Sequence, residues 1–293
     1  MTDLFDPRFE RRDLDLDGVR LRVRVGGDGP PLLLLHGFPQ THAMWHAVAP
    51  ALAERHTLVM PDLRGYGDSQ KVAPTADHAA HGKRAMAADM ARLMTALGFA
   101  RFDVAGHDRG GRVTHRLALD FPARVARACV MDIVPTLHLF THTDQAFATA
   151  YYHWFFLIQP RGLPERMIGQ DPAAYLRHSM QSWAAPDAAF DPRAMAEYER
   201  CFSDPAAING ACEDYRAGAS IDLEHDAASR ASRVACPLLV LWGARGFVNR
   251  HYRVLDVWRE YANDVRGEAL DCGHFVPEEQ PAETTRQLLG FFT

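Results

Sequence analysis

Val19, Leu21, Val23 and Val25 alternate with Arg20, Arg22 and Arg24, a period of two that predicts a strand with one buried and one wet face. Gly26, Gly27 and Gly29 then turn the chain. The next apolar runs do not alternate. Leu32 to Leu35, Thr57 to Met60, Phe102 to Ala105, Ala126 to Met131 and Leu238 to Trp242 are short and apolar, as expected of parallel strands covered on both faces by helices. Helical periods separate them, over about His42 to Arg55, Lys83 to Leu97, Gly110 to Asp120, Tyr252 to Tyr261 and Pro281 to Phe292. This alternation, with right-handed crossovers, predicts an α/β fold on a doubly wound, mostly parallel sheet.

The alternation stops from Pro135 to Asp226. That stretch holds Tyr151, Tyr152, Trp154, Phe155, Phe156, Trp183 and Tyr215 in helix-like patterns broken by Pro160, Pro164, Pro172, Pro186, Pro192 and Pro205. It reads as an inserted helical cap over 135–226, between a first core part, 1–134, and a second, 227–293. A cap resting on the end of a sheet leaves a cleft between the two.

Composition narrows the partners. The 293 residues include 37 acidic and 32 basic side chains, a net charge of −5, so nothing in the charge favours nucleic acid or an anionic membrane. The first six residues show no basic start leading into an apolar run, and no stretch approaches the ~18 apolar residues of a membrane span; a cytoplasmic protein is expected. Cys129, Cys201, Cys212, Cys236 and Cys272 are odd in number and lack CxxC pairs, which predicts buried thiols rather than disulfides or a zinc site. His42/His46 and His138/His142 are spaced four apart, but no Glu or Cys completes a ligand set, and no metal or organic cofactor is expected.

The chemistry concentrates at strand ends. Val104-Ala105-Gly106-His107-Asp108-Arg109-Gly110-Gly111 follows a strand and opens a helix, the small-x-nucleophile-x-small form of a nucleophile elbow with Asp108 in the reactive position. The plainer alternative makes Asp108 a helix N-cap. Leu35-His36-Gly37-Phe38-Pro39 can supply the Phe38 N–H as an oxyanion donor, with the Arg109 N–H as the second. Met131-Asp132-Ile133 places a carboxylate just past a strand, and Cys272-Gly273-His274-Phe275 places a histidine near the C-terminus. Each signal alone is weak. At one edge of a sheet they make a nucleophile, acid and base.

These motifs resemble the α/β-hydrolase family, in its branch with an aspartate nucleophile: haloalkane dehalogenases, epoxide hydrolases and fluoroacetate dehalogenases. The resemblance spans about Val19 to Phe292. In many of the first two groups the acid lies a few residues beyond a Trp-Gly pair, but Trp242-Gly243-Ala244-Arg245-Gly246 has glycine there, so Asp132 takes the role, as in fluoroacetate dehalogenases. The residue after the nucleophile is Arg109 where many relatives have Trp, and Arg112 follows three residues on, on the same helix face. Two guanidinium groups there can bind a carboxylate and keep Asp108 ionised, or else pair with Asp120 or another acid. His153, Trp154 and Tyr215 match the family's halide-binding residues, and all three side chains can donate hydrogen bonds to a leaving halide.

The resemblance thus implies a hydrolytic dehalogenase that converts short 2-haloacids, such as fluoroacetate and chloroacetate, into 2-hydroxy acids through an aspartyl ester. It also implies a homodimer. Epoxide hydrolase or haloalkane dehalogenase activity is the nearest alternative, and a non-catalytic ligand receptor is the alternative of another class.

Overall fold

The computed structural model describes residues 4–293; Met1 to Asp3, part of the chain start read above, lie outside the described residues. Eight strands form one sheet: β1 (Glu10–Leu16), β2 (Val19–Gly26), β3 (Pro31–Leu35), β4 (Thr57–Pro61), β5 (Phe102–His107), β6 (Val125–Met131), β7 (Leu238–Gly243) and β8 (Val265–Leu270). Their order is β1-β2-β4-β3-β5-β6-β7-β8. Only β1 with β2 and β2 with β4 pair antiparallel; every pairing from β4 to β8 is parallel. The apolar runs occupy β3, β4, β5, β6 and β7, where Leu32 to Leu35, Leu58 to Met60, Val104, Ala105, Ala128 to Met131, Val240 and Leu241 are excluded from solvent.

Two helical expectations are corrected. The period over His42 to Arg55 breaks into a 3₁₀ turn, His42–Trp45, and a single turn, Ala49–Leu52, with Pro50 at its start; Pro fits only a helix's first turn, so it restarts the helix. Tyr252 is extended, so the period over Tyr252 to Tyr261 yields only Val254–Arg259, after a separate turn, Phe247–His251. The thiols need one correction too: Cys236 is partly exposed while the other four are buried.

Between β6 and β7 the chain forms eight helices, from Thr136–Thr141 to Ile221–Ala228. The last runs two residues past position 226. Asp144, Asp171, Asp191 and Asp204 cap four of them, each accepting a backbone N–H of the first turn, and the last three each stand directly before a Pro at the helix start, which accounts for Pro172, Pro192 and Pro205. Among the described residues no helix is long and apolar enough to cross a membrane.

Candidate active site

The parallel strands aim their C-terminal ends at the helices between β6 and β7, and four segments meet there. After β5, Asp108 adopts φ 45°, ψ −114°, a strained conformation for a residue with a Cβ. The turn is tight enough that a Cβ on Gly106 would lie 2.3 Å from the Gly110 carbonyl oxygen, and one on Gly110 would lie 2.4 Å from those of Leu35 and His36. Both glycines are therefore required by close backbone approach. Asp108 does stand at the N-cap of the helix Arg109–Asp120, yet its side chain accepts no bond from that helix. Its Oδ2 accepts the Phe38 N–H at 3.0 Å instead.

His274 Nδ1 lies 2.6 Å from Asp132 Oδ2, both buried, and Asp132 Oδ1 accepts the Gly243 N–H at 3.0 Å. A Cβ at Gly246, where relatives with a Trp-Gly pair carry their acid, would sit 3.7 Å from Asp132 Oδ1. A side chain at 246 would thus start in van der Waals contact with the Asp132 carboxylate. Burial pushes the His274 ring toward the neutral form, but the bond and charge of Asp132 and the charge of Asp108 outweigh it, and its pKa is raised. Burial likewise pushes the Asp108 carboxyl up, and His274, Arg109 and Arg112 hold it below the ordinary value. The expectation that nearby cations keep Asp108 ionised agrees with that direction.

A small cavity is lined by Asp108, Tyr151, His153, Trp183, Tyr215 and His274. His153 Nδ1 is buried without a partner, and burial pushes that ring down to about 3, so it is neutral at neutral pH. Trp154 is not in the lining. Its indole packs against both guanidinium groups, 5.5 Å from Arg109 and 4.6 Å from Arg112, within cation–π range. A larger hollow lined by Phe5, Arg22, Arg193 and Arg200 contains none of these residues; its Arg22, Arg193 and Arg200 already pair with Asp13, Asp68, Asp191 and Glu197.

The two arginines are buried but unequal. Arg109 is clamped by Asp214, Nη2 to Oδ1 at 2.7 Å and Nε to Oδ2 at 2.9 Å, and Lys83 and Tyr66 also bond this carboxylate. Arg112 donates only to neutral groups, the Val134 carbonyl and the Thr136 hydroxyl, both at 3.0 Å. Arg109 Nη1 and Arg112 Nε are buried with no partner. Burial and the neighbouring Arg109 charge push Arg112 down to about 10, against the opposing pull of the Asp108 charge; it is a cation at neutral pH whose hydrogen bonds among the described residues all go to neutral groups. The alternative pairing with Asp120 belongs to Arg116.

A model of the alpha/beta hydrolase fold matches residues 30–281. The chain belongs to the alpha/beta hydrolases. A fluoroacetate dehalogenase of Burkholderia sp. is 46% identical to this hydrolase, covering 97% of this chain and 94% of its own. A soluble epoxide hydrolase of Corynebacterium sp. is 34% identical, covering 94% of this chain and 95% of its own. A crystal structure from Nostoc sp. PCC 7120, provisionally named an alpha/beta hydrolase, is 53% identical with a TM-score of 0.96, covering 97% of this chain and 98% of that one.

The sequence reading of the hydrolase missed Asp214, Lys83 and Trp183 as parts of the site. It also missed Glu278, whose Oε1 accepts the Tyr198 hydroxyl at 2.9 Å and whose Oε2 meets Gln40 Nε2. Burial pushes Glu278 up to about 8. Unfolded, it ionises near its ordinary 4.5, so its contribution to stability is fullest below 4.5, falls as pH rises to about 8, and is level above. Glu278→Gln removes the titration and can serve the orphaned Gln40 Oε1 if the Gln40 amide turns over. Melting curves at pH 5 and pH 8.5 should show the variant gaining on the parent with pH, at about 2–4 °C per kcal/mol. A constant difference in Tm would mean that Glu278 is already ionised in the fold.

Proposed function

We propose that this hydrolase converts short 2-haloacids, fluoroacetate and chloroacetate among them, into 2-hydroxy acids, halide and a proton. The observation that carries the reading is the pair of buried guanidinium N–H groups, Arg109 Nη1 and Arg112 Nε, unpartnered among the described residues, whose charges act on the Asp108 carboxylate although neither arginine lines its cavity. Such donors are costly to bury unless an anion completes them.

With the substrate carboxylate on the arginines, Asp108 attacks the α-carbon as the halide leaves on the opposite side. Asp108 Oδ2 already receives the Phe38 N–H, so Oδ1 makes the new bond and Oδ2 becomes the ester carbonyl oxygen. His153 and Tyr215, in the cavity wall, donate to the departing halide, while Trp154, outside that lining, packs against the two guanidinium groups that hold the carboxylate. This matters most for fluoride, a compact ion whose lost hydration must be replaced. Esterification removes the Asp108 negative charge, one of the influences that raise the His274 pKa. The ring then releases its proton more readily. Neutral His274, held by Asp132, takes a proton from water, and hydroxide adds to the ester carbonyl carbon. The charge that develops on Oδ2 falls on the Phe38 N–H, with the Arg109 N–H as the second donor. Collapse expels the hydroxy acid's alkoxide oxygen, which takes the proton back from His274, and the carboxylic acid left at Asp108 loses its proton to restore the carboxylate.

A second reading, epoxide opening, draws on Tyr151 and Tyr215, both in the cavity wall, since two phenols can donate to an oxirane oxygen. The soluble epoxide hydrolase relative points the same way. Halide release from fluoroacetate, chloroacetate and 1-chlorobutane, beside diol formation from styrene oxide, tests both. Turnover of the haloacids at least about 100-fold faster than of the neutral substrates is expected. Faster use of styrene oxide would overturn the haloacid reading.

A further inference from the structure

His274 is held by more than Asp132. Its backbone N–H donates to the Trp183 carbonyl at 3.0 Å, and its own carbonyl lies 2.8 Å from His107 Nε2. Both neighbours are tied as well. Glu279 Oε2 accepts the Gly273 N–H at 2.7 Å, and Oε1 accepts the Phe275 N–H at 2.8 Å. The same Oε2 accepts the Ala185 N–H at 2.9 Å. One carboxylate therefore holds the loop on both sides of His274 and the chain just past Trp183, a residue of the cavity wall. Gly273 leaves no slack here, since a Cβ on it would lie 2.4 Å from the Ala185 nitrogen. The strand-end loop bearing His274 and the inserted helical segment are packed backbone to backbone, with Glu279 as the shared acceptor.

Asp108 is placed differently. It stands on the turn between β5 and the helix Arg109–Asp120, with the Met131 carbonyl accepting its N–H at 3.2 Å and Phe38 donating to its side chain. None of these contacts involves Glu279 or the Trp183–Ala185 segment.

We infer that Glu279 is a positioning residue for the second half of the reaction: it sets His274 against the ester while leaving the first displacement by Asp108 intact. The inference rests on the roles proposed above for Asp108 and His274. A misplacement of about 1 Å in a proton acceptor is enough to lower a step by roughly 100-fold. Glu279→Gln keeps the volume but turns one acceptor oxygen into a donor, so it breaks part of the clamp; Glu279→Ala breaks all of it.

Chloroacetate added to excess enzyme, quenched at intervals and followed by intact mass, gives the formation and decay rates of the carboxymethyl ester separately. In Glu279→Gln, formation within about twofold of the parent and decay slowed tenfold or more are expected, with a larger loss of decay in Glu279→Ala. Equal slowing of both rates in Glu279→Gln, or no slowing of decay, would overturn the positioning role. His274→Ala in the same experiment separates the two levels. If it accumulates no ester, the roles of Asp108 and His274 fail; if it accumulates ester while Glu279→Gln decays normally, only the inference about Glu279 fails.

Discussion

His274→Ala is expected to release one equivalent of halide from chloroacetate and then stop, with the protein heavier by a carboxymethyl group. Displacement at the α-carbon requires an ionised Asp108 and no base, and Arg109 and Arg112 still lower the Asp108 pKa when the His274 charge is gone. Hydrolysis of the ester requires a proton acceptor for water, and the ring bonded to Asp132 is the group held in place for it. Loss of a general base costs ~10²–10⁴ in rate, enough for the adduct to persist through purification. Digestion should place the added mass on the peptide containing Asp108. Steady turnover by His274→Ala without an adduct would remove the histidine from this role. The pH dependence of the parent follows the same logic. The raised His274 pKa in the free protein belongs to a group that must be neutral in the second step, so ester decay should fall as pH drops through the ring's pKa, while ester formation holds until Asp108 protonates below its ordinary value.

Arg112→Leu should separate activity from stability. Arg112 is a buried cation bonded only to neutral oxygens, so its removal takes away a desolvation cost and breaks no ion pair. The melting temperature is expected to stay level or rise. Use of haloacetates should fall by ~100-fold or more in kcat/KM, because a charge-assisted clamp on the substrate carboxylate is gone. Neutral haloalkanes or epoxides should be used as before or better. Arg109→Leu is the less informative change, since it strands Asp214 beside Lys83 in the interior, and breaking a buried pair costs about 3–5 kcal/mol of stability. A fall in Tm for Arg112→Leu, with equal losses on charged and neutral substrates, would make this arginine a packing residue.

The parts legible in the sequence are those whose reasons are local. β3, β4, β5, β6 and β7 are buried on both faces and so carry apolar runs. The elbow announces itself because its glycines are demanded by atoms a few residues away. β1 and β8 escaped notice for the opposite reason. They are the sheet's edges, exposed over most of β1 and alternately along β8, and Glu10-Arg11-Arg12-Asp13 carries no apolar signal, as suits an exposed edge. The inequality of the two arginines was hidden too. Arg109 and Arg112 look alike on a helix face, and only the chain's return through Asp214, 105 residues later, pairs one in a direct ion pair and leaves the other bonded to neutral oxygens. The role of Glu279 is equally a matter of folding, since one of its three backbone donors, Ala185, lies 94 residues away.

The empty place at Gly246 bears on how such sites change hands. A side chain arriving there would start beside the Asp132 carboxylate, close to the oxygen pair that now holds His274 and Gly243. A lineage can gain the second acid before losing the first, passing through a chain that carries both, with the imidazole never left unpaired. The order of catalytic residues along a chain is then a record of ancestry, free to drift, while the constellation it builds stays fixed.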